Sequence, residues 1–443
     1  MLEVTLLGHA SLLVHGDGTV LCDPIFGDHL SGGGNLIDPT RRISLDRLGP
    51  IDAVAITHHH SDHFNPHELA KLPTLRDKPF LVPAGSIVAR HLRKLGYHDV
   101  TEIRAGECRR FAGLEITATP SNAPFPEIGF LFQRNGGVVL NLADTIIDGV
   151  IDQLRELVHR PGLILAPFQA GGYMSLLPLR IDGPPQGLVE AIVKWSTEYL
   201  EQLTEHLATL APLLVVPFAD GIRYRDDAIN HWHFPLPDEA FINALGEHDI
   251  ATAVAVPGSR FRVEREQVRR VAAPAGLVEV SGMAADRRFD PSCRLADEPA
   301  PCPGIDRKRT PPAPDSAAHQ LLSTNLRRTL ADKADSVERD RLLQACAEWQ
   351  LDLCDIGFGA RYWRIDVNTD PPTVRPQVPD DSDPAYGIRA HWCDLARVLA
   401  GEMPLEHVEL SGAFRYMSPA RVELEAVRHR ALGPLRLLFK TDD

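Results

Sequence analysis

Short apolar runs punctuated by turn residues set the rhythm of the first 260 residues. Residues 4–14 and 19–24 read as two strands joined by the turn His15-Gly-Asp-Gly18, a hairpin signal. Residues 52–56 read as a short buried strand, and residues 65–72 begin a helix with Asn65 at the N-cap and Pro66 in the first turn. Further strands are expected at 80–83, 114–119, 128–132, 137–145, 163–168, 213–218 and 251–258, with a helix near 86–95 and a Gly-rich loop at 26–35. Leu188, Ile192, Trp195, Tyr199, Leu203, Leu207 and Leu210 form a stripe at helical spacing, and its aromatics read as core.

Residues 287–316 are dense in Pro, Asp, Arg and Ala and read as a linker or extended strap. Beyond it, 317–354 looks helical, 391–400 reads as another short helix, and 408–416 alternates like a strand. The expected organisation is a catalytic domain over 1–286, the strap over 287–316 and a smaller C-terminal α+β unit over 317–443.

Composition narrows the class. The chain has 443 residues, 44% hydrophobic and 24% charged, as an ordinary globular protein does. A formal net charge of -14 speaks against nucleic-acid or anionic-membrane surfaces, so an anionic substrate would need local arginines. The seven cysteines lack C-x-x-C or C-x-H spacing, which points to reduced thiols rather than a structural zinc or an iron–sulfur cluster. No apolar run approaches the roughly 20 residues of a membrane span, and the first residues lack the pattern of a signal peptide, so a cytoplasmic protein is expected.

The densest chemistry lies at His58-x-His60-x-Asp62-His63, in the turn after a strand. Alternating His58 and His60 can converge on one metal while Asp62 and His63 turn toward a second. Neutral imidazole nitrogen and carboxylate oxygen suit Zn²⁺ or Fe²⁺. Asp144, at the end of another buried strand, is the candidate bridge between two ions, and Asp62, His63 and Asp144 are the candidate catalytic residues. His9 after Gly8, and Asp23 before Pro24, sit where polar groups point into a cleft, although each taken alone reads as structural. Arg223 and Arg225 are candidates to hold an anionic substrate, because a guanidinium fork matches carboxylate or phosphate. Gln169 and Tyr173, in a Gly-rich loop, are candidate substrate contacts.

The run of strands and helices carrying this cluster and then Asp144 resembles the metallo-β-lactamase fold. That resemblance implies a four-layered αββα sandwich over roughly residues 1–260, with its metal site along one edge of the paired sheets. Gly8-His9-Ala10-Ser11 looks like the branch containing ascorbate-phosphate lactonases and N-acyl phosphatidylethanolamine phospholipases. A closer likeness is to the C-terminal, non-Rieske part of the CMP-N-acetylneuraminate hydroxylases. It rests on Asp23-Pro24, Asp62-His63-Phe64, Asn141-Leu-Ala-Asp-Thr145, Gln169-Ala-Gly-Gly172, the long helix after Gln186, Pro217-Phe-Ala219 and Leu405-Glu-His-Val-Glu-Leu-Ser-Gly-Ala-Phe-Arg415.

The chain departs from hydrolytic members of the superfamily at two places. Between the cluster and Asp144 it offers Pro120-Ser-Asn-Ala-Pro-Phe-Pro-Glu127 and no His, so Asn122 or Glu127 is left as the alternative ligand. Where a late His would follow a strand stands Pro217-Phe-Ala-Asp220, with Asp220, His231 and His233 as substitutes. An oxygen-rich remainder favours iron, with manganese or zinc as alternatives. The preferred reading is a diiron oxygenase (a monooxygenase) for a small polar or anionic metabolite, with electrons from a separate protein. A zinc- or manganese-dependent hydrolase of an ester, lactone, amide or phosphodiester competes with it, as does a degenerate metal-binding scaffold. A small-molecule substrate is expected, a homodimer is compatible, and neither nucleic acid nor membrane is an expected partner.

Overall fold

The computed structural model describes residues 2–30, 35–169, 178–179, 188–224, 230, 236–282, 324, 343–344, 349–353, 362–366, 368–369, 373–377, 386–399 and 414–417. Along the chain the sandwich strands are β1 (Leu2–Gly8), β2 (Ser11–His15), β3 (Thr19–Cys22), β4 (Ala53–Ala55), β5 (Phe80–Pro83), β6 (Val100–Ile103), β7 (Cys108–Phe111), β8 (Leu114–Thr119), β9 (Gly129–Arg134), β10 (Gly137–Asn141), β11 (Leu163–Ala166), β12 (Leu214–Pro217), β13 (Arg260–Glu264) and β14 (Gln267–Val271). Among the described residues they form an eight-stranded sheet in the order β14-β13-β1-β2-β3-β4-β5-β6 and a six-stranded sheet in the order β7-β8-β9-β10-β11-β12. Each sheet is mixed: β3, β4, β5 and β6 run parallel, as do β10, β11 and β12.

Two-residue periodicity explains why two sheets stack. Successive side chains on a strand point to opposite faces, so Leu12 and Val14 enter the core between the sheets while Leu13 faces out to a helical layer. Val139 and Leu140, or Leu165 and Ile164, divide in the same way on the second sheet. Central strands buried on both faces therefore read as unbroken apolar runs.

The outer layer on the first sheet includes α1 (Pro66–Leu69) and α2 (Ile87–Lys94), which place Leu69, Val88, Ala89 and Leu92 against Val54, Phe80 and Val82. The outer layer on the second consists of α3 (Ile151–Leu157), α4 (Leu188–Thr209) and α5 (Asp238–Gly246), contributing Leu154, Leu200, Leu203, Leu207, Phe241 and Leu245. Helix, sheet, sheet, helix is the expected αββα order.

Several expectations change. Residues 4–14 are not one strand: the chain turns at Gly8-His9-Ala10, and β1 pairs antiparallel with β2. Residues 251–258 make only an isolated bridge, Val215 to Thr252, and the sheet is closed instead by the β13–β14 hairpin against β1. That hairpin is hard to see in the sequence because Arg and Glu crowd its exposed positions. The 26–35 loop includes short strands His29–Leu30 and Asn35–Ile37. Trp195 on α4 is 40% exposed and stacks on Tyr199 at 5.8 Å instead of entering the core.

A third sheet follows the order Pro178–Leu179, Arg415–Met417, Tyr386–Ala390, Trp349–Leu353, Tyr362–Asp366, Thr373–Gln377. Trp349–Leu353 is thus a strand where a helix was expected, and Trp392–Leu399, α6, is the expected helix. Tryptophans 349, 363 and 392 are buried in this α+β unit. Its sheet takes in Pro178–Leu179, paired parallel with Tyr416 and Met417. The Pro-rich 287–316 stretch lies outside the described residues.

Candidate metal centre

Strand ends deliver the site. After β4, Ile56 N bonds to Leu81 O and Thr57 N to Asp23 Oδ1, which carries the chain past the sheet edge before it turns at 58–63. The turn is closed by His63 N and Phe64 N donating to His60 O, and Asn65 caps α1 by accepting from His67 N at 2.9 Å. One face of this turn holds His58 and His60, with His58 Nε2 and His60 Nδ1 2.8 Å apart. The other holds Asp62 and His63, with His63 Nε2 3.8 Å from Asp62 Oδ2.

Asp144 arrives from the second sheet. After β10, Ala143 takes a left-handed φ of 48°, Asn141 Oδ1 accepts from Ala143 N, and Thr145 N bonds to Leu142 O. This tight turn sets Asp144 Oδ2 3.3 Å from His63 Nε2, and the same residue groups with His58 and His60, all ligand atoms lying within 4.8 Å of one another. A second such group is His9, Asp62 and His63. Asp144 therefore touches both halves, as a bridging carboxylate would have to.

Asp23, fully buried, is the post behind the cluster. Its carboxylate accepts from Thr57 N at 2.9 Å and Thr57 Oγ1 at 2.8 Å, and lies 2.9 Å from His63 Nδ1. A proton on Nδ1 donated to Asp23 leaves the Nε2 lone pair aimed at the cleft, which is how an outer carboxylate fixes a metal-binding tautomer.

Charge around the site is tightly matched. Burial pushes His58 well below the ordinary imidazole range, helped by repulsion from His63 and His60, and burial lowers His60 too. Burial also opposes charge on His63, but the carboxylates of Asp144, Asp62 and Asp23 outweigh it and push the ring well above the ordinary imidazole range. Asp62 is kept ionised against burial by His63 and His9. Glu127, buried behind His58 with Oε1 3.6 Å from Nδ1, is pushed up to about 7 chiefly by burial.

The donor set fits divalent metal. Imidazole nitrogens and carboxylate oxygens converge in two groups, and Asp62 Oδ1 is buried without a hydrogen-bond partner among the described residues. A divalent cation among these carboxylates would favour the neutral, ligating form of His63.

The remaining candidates fall elsewhere. Asn122 is exposed, its amide set against Gly149. Asp220 joins neither group; its Oδ2 accepts from Phe168 N at 3.1 Å and ties the end of β12 to that of β11. Gln169 donates to Leu236 O at 2.7 Å. Arg223 is half-buried in Ile222–Tyr224, opposite Leu36. Tyr173, Arg225, His231 and His233 lie outside the described residues. Phe125, not anticipated, packs its ring 4.9 Å from His60, 5.1 Å from His59 and 5.8 Å from His58. Its sequence signal was its place between two prolines in the segment that lacks a His. Tyr199, read as core, is raised by burial and by the charges of Asp220, Asp144 and Glu127, so it lies within electrostatic reach of the site.

A family model for the beta-lactamase superfamily domain matches residues 18–256, and the chain belongs to that superfamily. Among curated relatives, a putative Rieske 2Fe-2S iron-sulfur protein of Mycolicibacterium smegmatis is 26% identical over 154 residues, 32% of this chain and 30% of that protein. A metal-dependent hydrolase of Rubrobacter xylanophilus is 24% identical over 203 residues, 40% of this chain and 78% of that one. The chain spans only 30 to 33% of the length of the first curated relatives it matches. Among solved structures, CmlA, a diiron beta-hydroxylase from Streptomyces venezuelae, aligns at 18% identity and a TM-score of 0.41 over 61% of this chain and 54% of that one. No described helix is long and apolar enough to cross a membrane.

Proposed function

We propose that this chain is a dinuclear iron oxygenase that hydroxylates a small polar or anionic metabolite, taking two electrons from a separate redox protein. The observation that carries the reading is the donor balance of the first group: two imidazoles, His58 and His60, with one carboxylate, Asp144. Two His and one carboxylate with open positions is a donor set suited to Fe²⁺. The segment that would add a third imidazole brings Glu127 behind His58 instead. The relative described as a Rieske protein lends support from the redox side.

Bound iron would supply Lewis acidity and redox chemistry toward O₂. The chain's residues do the rest. Asp23 and Thr57 fix the His63 ring, and Phe125 packs its ring against those of His58 and His60. Glu127, balanced near neutrality, can hold or release a proton beside the site. Overall, substrate C–H, O₂, two electrons and two protons yield C–OH and water.

A second reading, hydrolysis, draws on the relative described as a metal-dependent hydrolase, which the chain matches over 78% of its length. Metal analysis after anaerobic purification separates the two. Two irons per chain, with O₂ uptake driven by a chemical reductant, supports the oxygenase. Zinc alone, with turnover of generic phosphodiesters or lactones without O₂, removes it in favour of hydrolysis. His60→Ala or Asp144→Ala is expected to abolish loading of the first group on either reading, and full occupancy in both variants would show that the ligands are others.

A further inference from the structure

The geometry points to His9 as a protein ligand of the second ion, completing a His9/Asp62/His63 set opposite His58/His60/Asp144. The assignment rests on the two-ion reading and names what fills its other half. His9 lies 53 residues before Asp62, yet its Nε2 is 3.0 Å from Asp62 Oδ2 and its ring meets His63 edge-on at 5.5 Å. One ligand atom from each of the three lies within 4.8 Å of the others.

The fold maintains this placement against local preference. His9 has a left-handed φ of 48°, is buried, and leaves Nδ1 without a hydrogen-bond partner among the described residues. Strained backbone and an unsatisfied buried nitrogen together persist where surrounding structure imposes them and a function uses them. Two contacts impose them here. Gly8, at φ 115°, backs onto Arg41, and a Cβ there would fall 2.6 Å from Arg41 Nε. Buried Arg41 is itself fixed by donating to Leu7 O, Ile25 O, Gly27 O and Asp28. On the far side Gly221 passes so close that a Cβ would lie 3.4 Å from His9 N. A turn clamped from both sides delivers one imidazole beside Asp62 and His63.

With His9, the second group also has two imidazoles and one carboxylate, so the two halves carry matched donor sets. Asp220, the acidic residue at the end of the neighbouring strand, spends Oδ2 on Phe168 N.

The test uses the full chain, stripped of metal and titrated anaerobically with Co²⁺, read by stoichiometry and by the visible d–d spectrum. His9→Asn keeps a residue tolerant of left-handed backbone, and His9→Gly leaves space for free imidazole. Wild type is expected to take two Co²⁺. Both variants should fill the first group normally and bind the second ion about 100-fold more weakly or worse, since loss of even an outer-shell partner costs 10–100-fold. Added imidazole should restore the second spectrum in His9→Gly. Normal filling of the first group reports that each variant is folded. Two tightly bound ions in both variants would overturn His9 as a ligand while leaving the two-ion reading intact. A single ion in wild type, unchanged in the variants, would overturn both.

Discussion

At the scale of residues, the site depends on side chains that orient other side chains. Asp23 touches no open space, yet it fixes the tautomer of His63 through a 2.9 Å contact with Nδ1. Asp23→Asn should weaken metal binding 10–100-fold with little change in far-UV circular dichroism, checked by metal titration. His15, between Thr5 and Thr19, gives a pH prediction away from the metal. Burial and Arg260 lower it to about 4. The unfolded chain therefore takes up a proton below about 6.5 that the native chain refuses. Stability from this group is fully present above that pH and is lost as pH falls toward 4. His15→Gln should flatten the fall in urea-unfolding free energy between those pH values relative to wild type.

At the scale of elements, the decisive features are turns at strand ends. Gly8 must be glycine: its φ of 115° is unfavourable for side chains, and Arg41 fills the space a Cβ would take. Gly8→Ala should cost on the order of 2 kcal/mol or more, seen as a lower melting temperature. The cap on α1 makes a smaller, separable contribution. Asn65→Ala should cost about 1 kcal/mol in denaturant unfolding, because His67 N loses its acceptor at the point where the metal-binding turn enters the helix. The same turns mark the limit of sequence reading. The 4–14 run was apolar enough to pass for one strand, and its break at Gly8-His9 turned a residue read as structural toward Asp62.

At the scale of the molecule, both candidate metal groups come from residues 9 to 144, at the ends of interior strands of the two stacked sheets. Among the described residues the third sheet contributes none to either group, although it includes Pro178–Leu179. We propose that it is an accessory unit to a catalytic domain over 1–286. A chain truncated after residue 286 should then load the same number of metal ions as the full chain, measured by metal analysis. Loss of loading would mean that the C-terminal sheet supports the site itself. The overall charge of -14 has its counterpart at the centre, where the acidic groups Asp23, Asp62 and Asp144 surround His63.

Sequence alone determined most of the strands and the densest ligand cluster, because both are written locally: short apolar runs make strands, and His58-x-His60-x-Asp62-His63 lies within one turn; the sandwich itself was what the family resemblance implied. It also singled out Asp144 at a strand end. Only the tertiary structure decided that His9 joins Asp62, that Glu127 backs His58, that Phe125 packs against the rings and that Asp220 accepts from a backbone amide. Those pairings join residues tens of positions apart, within a sheet for His9 and Asp220 and between the two sheets for Glu127 and Phe125. Their approach is set by how the sheets stack and where each strand stops, which no local pattern of residues encodes.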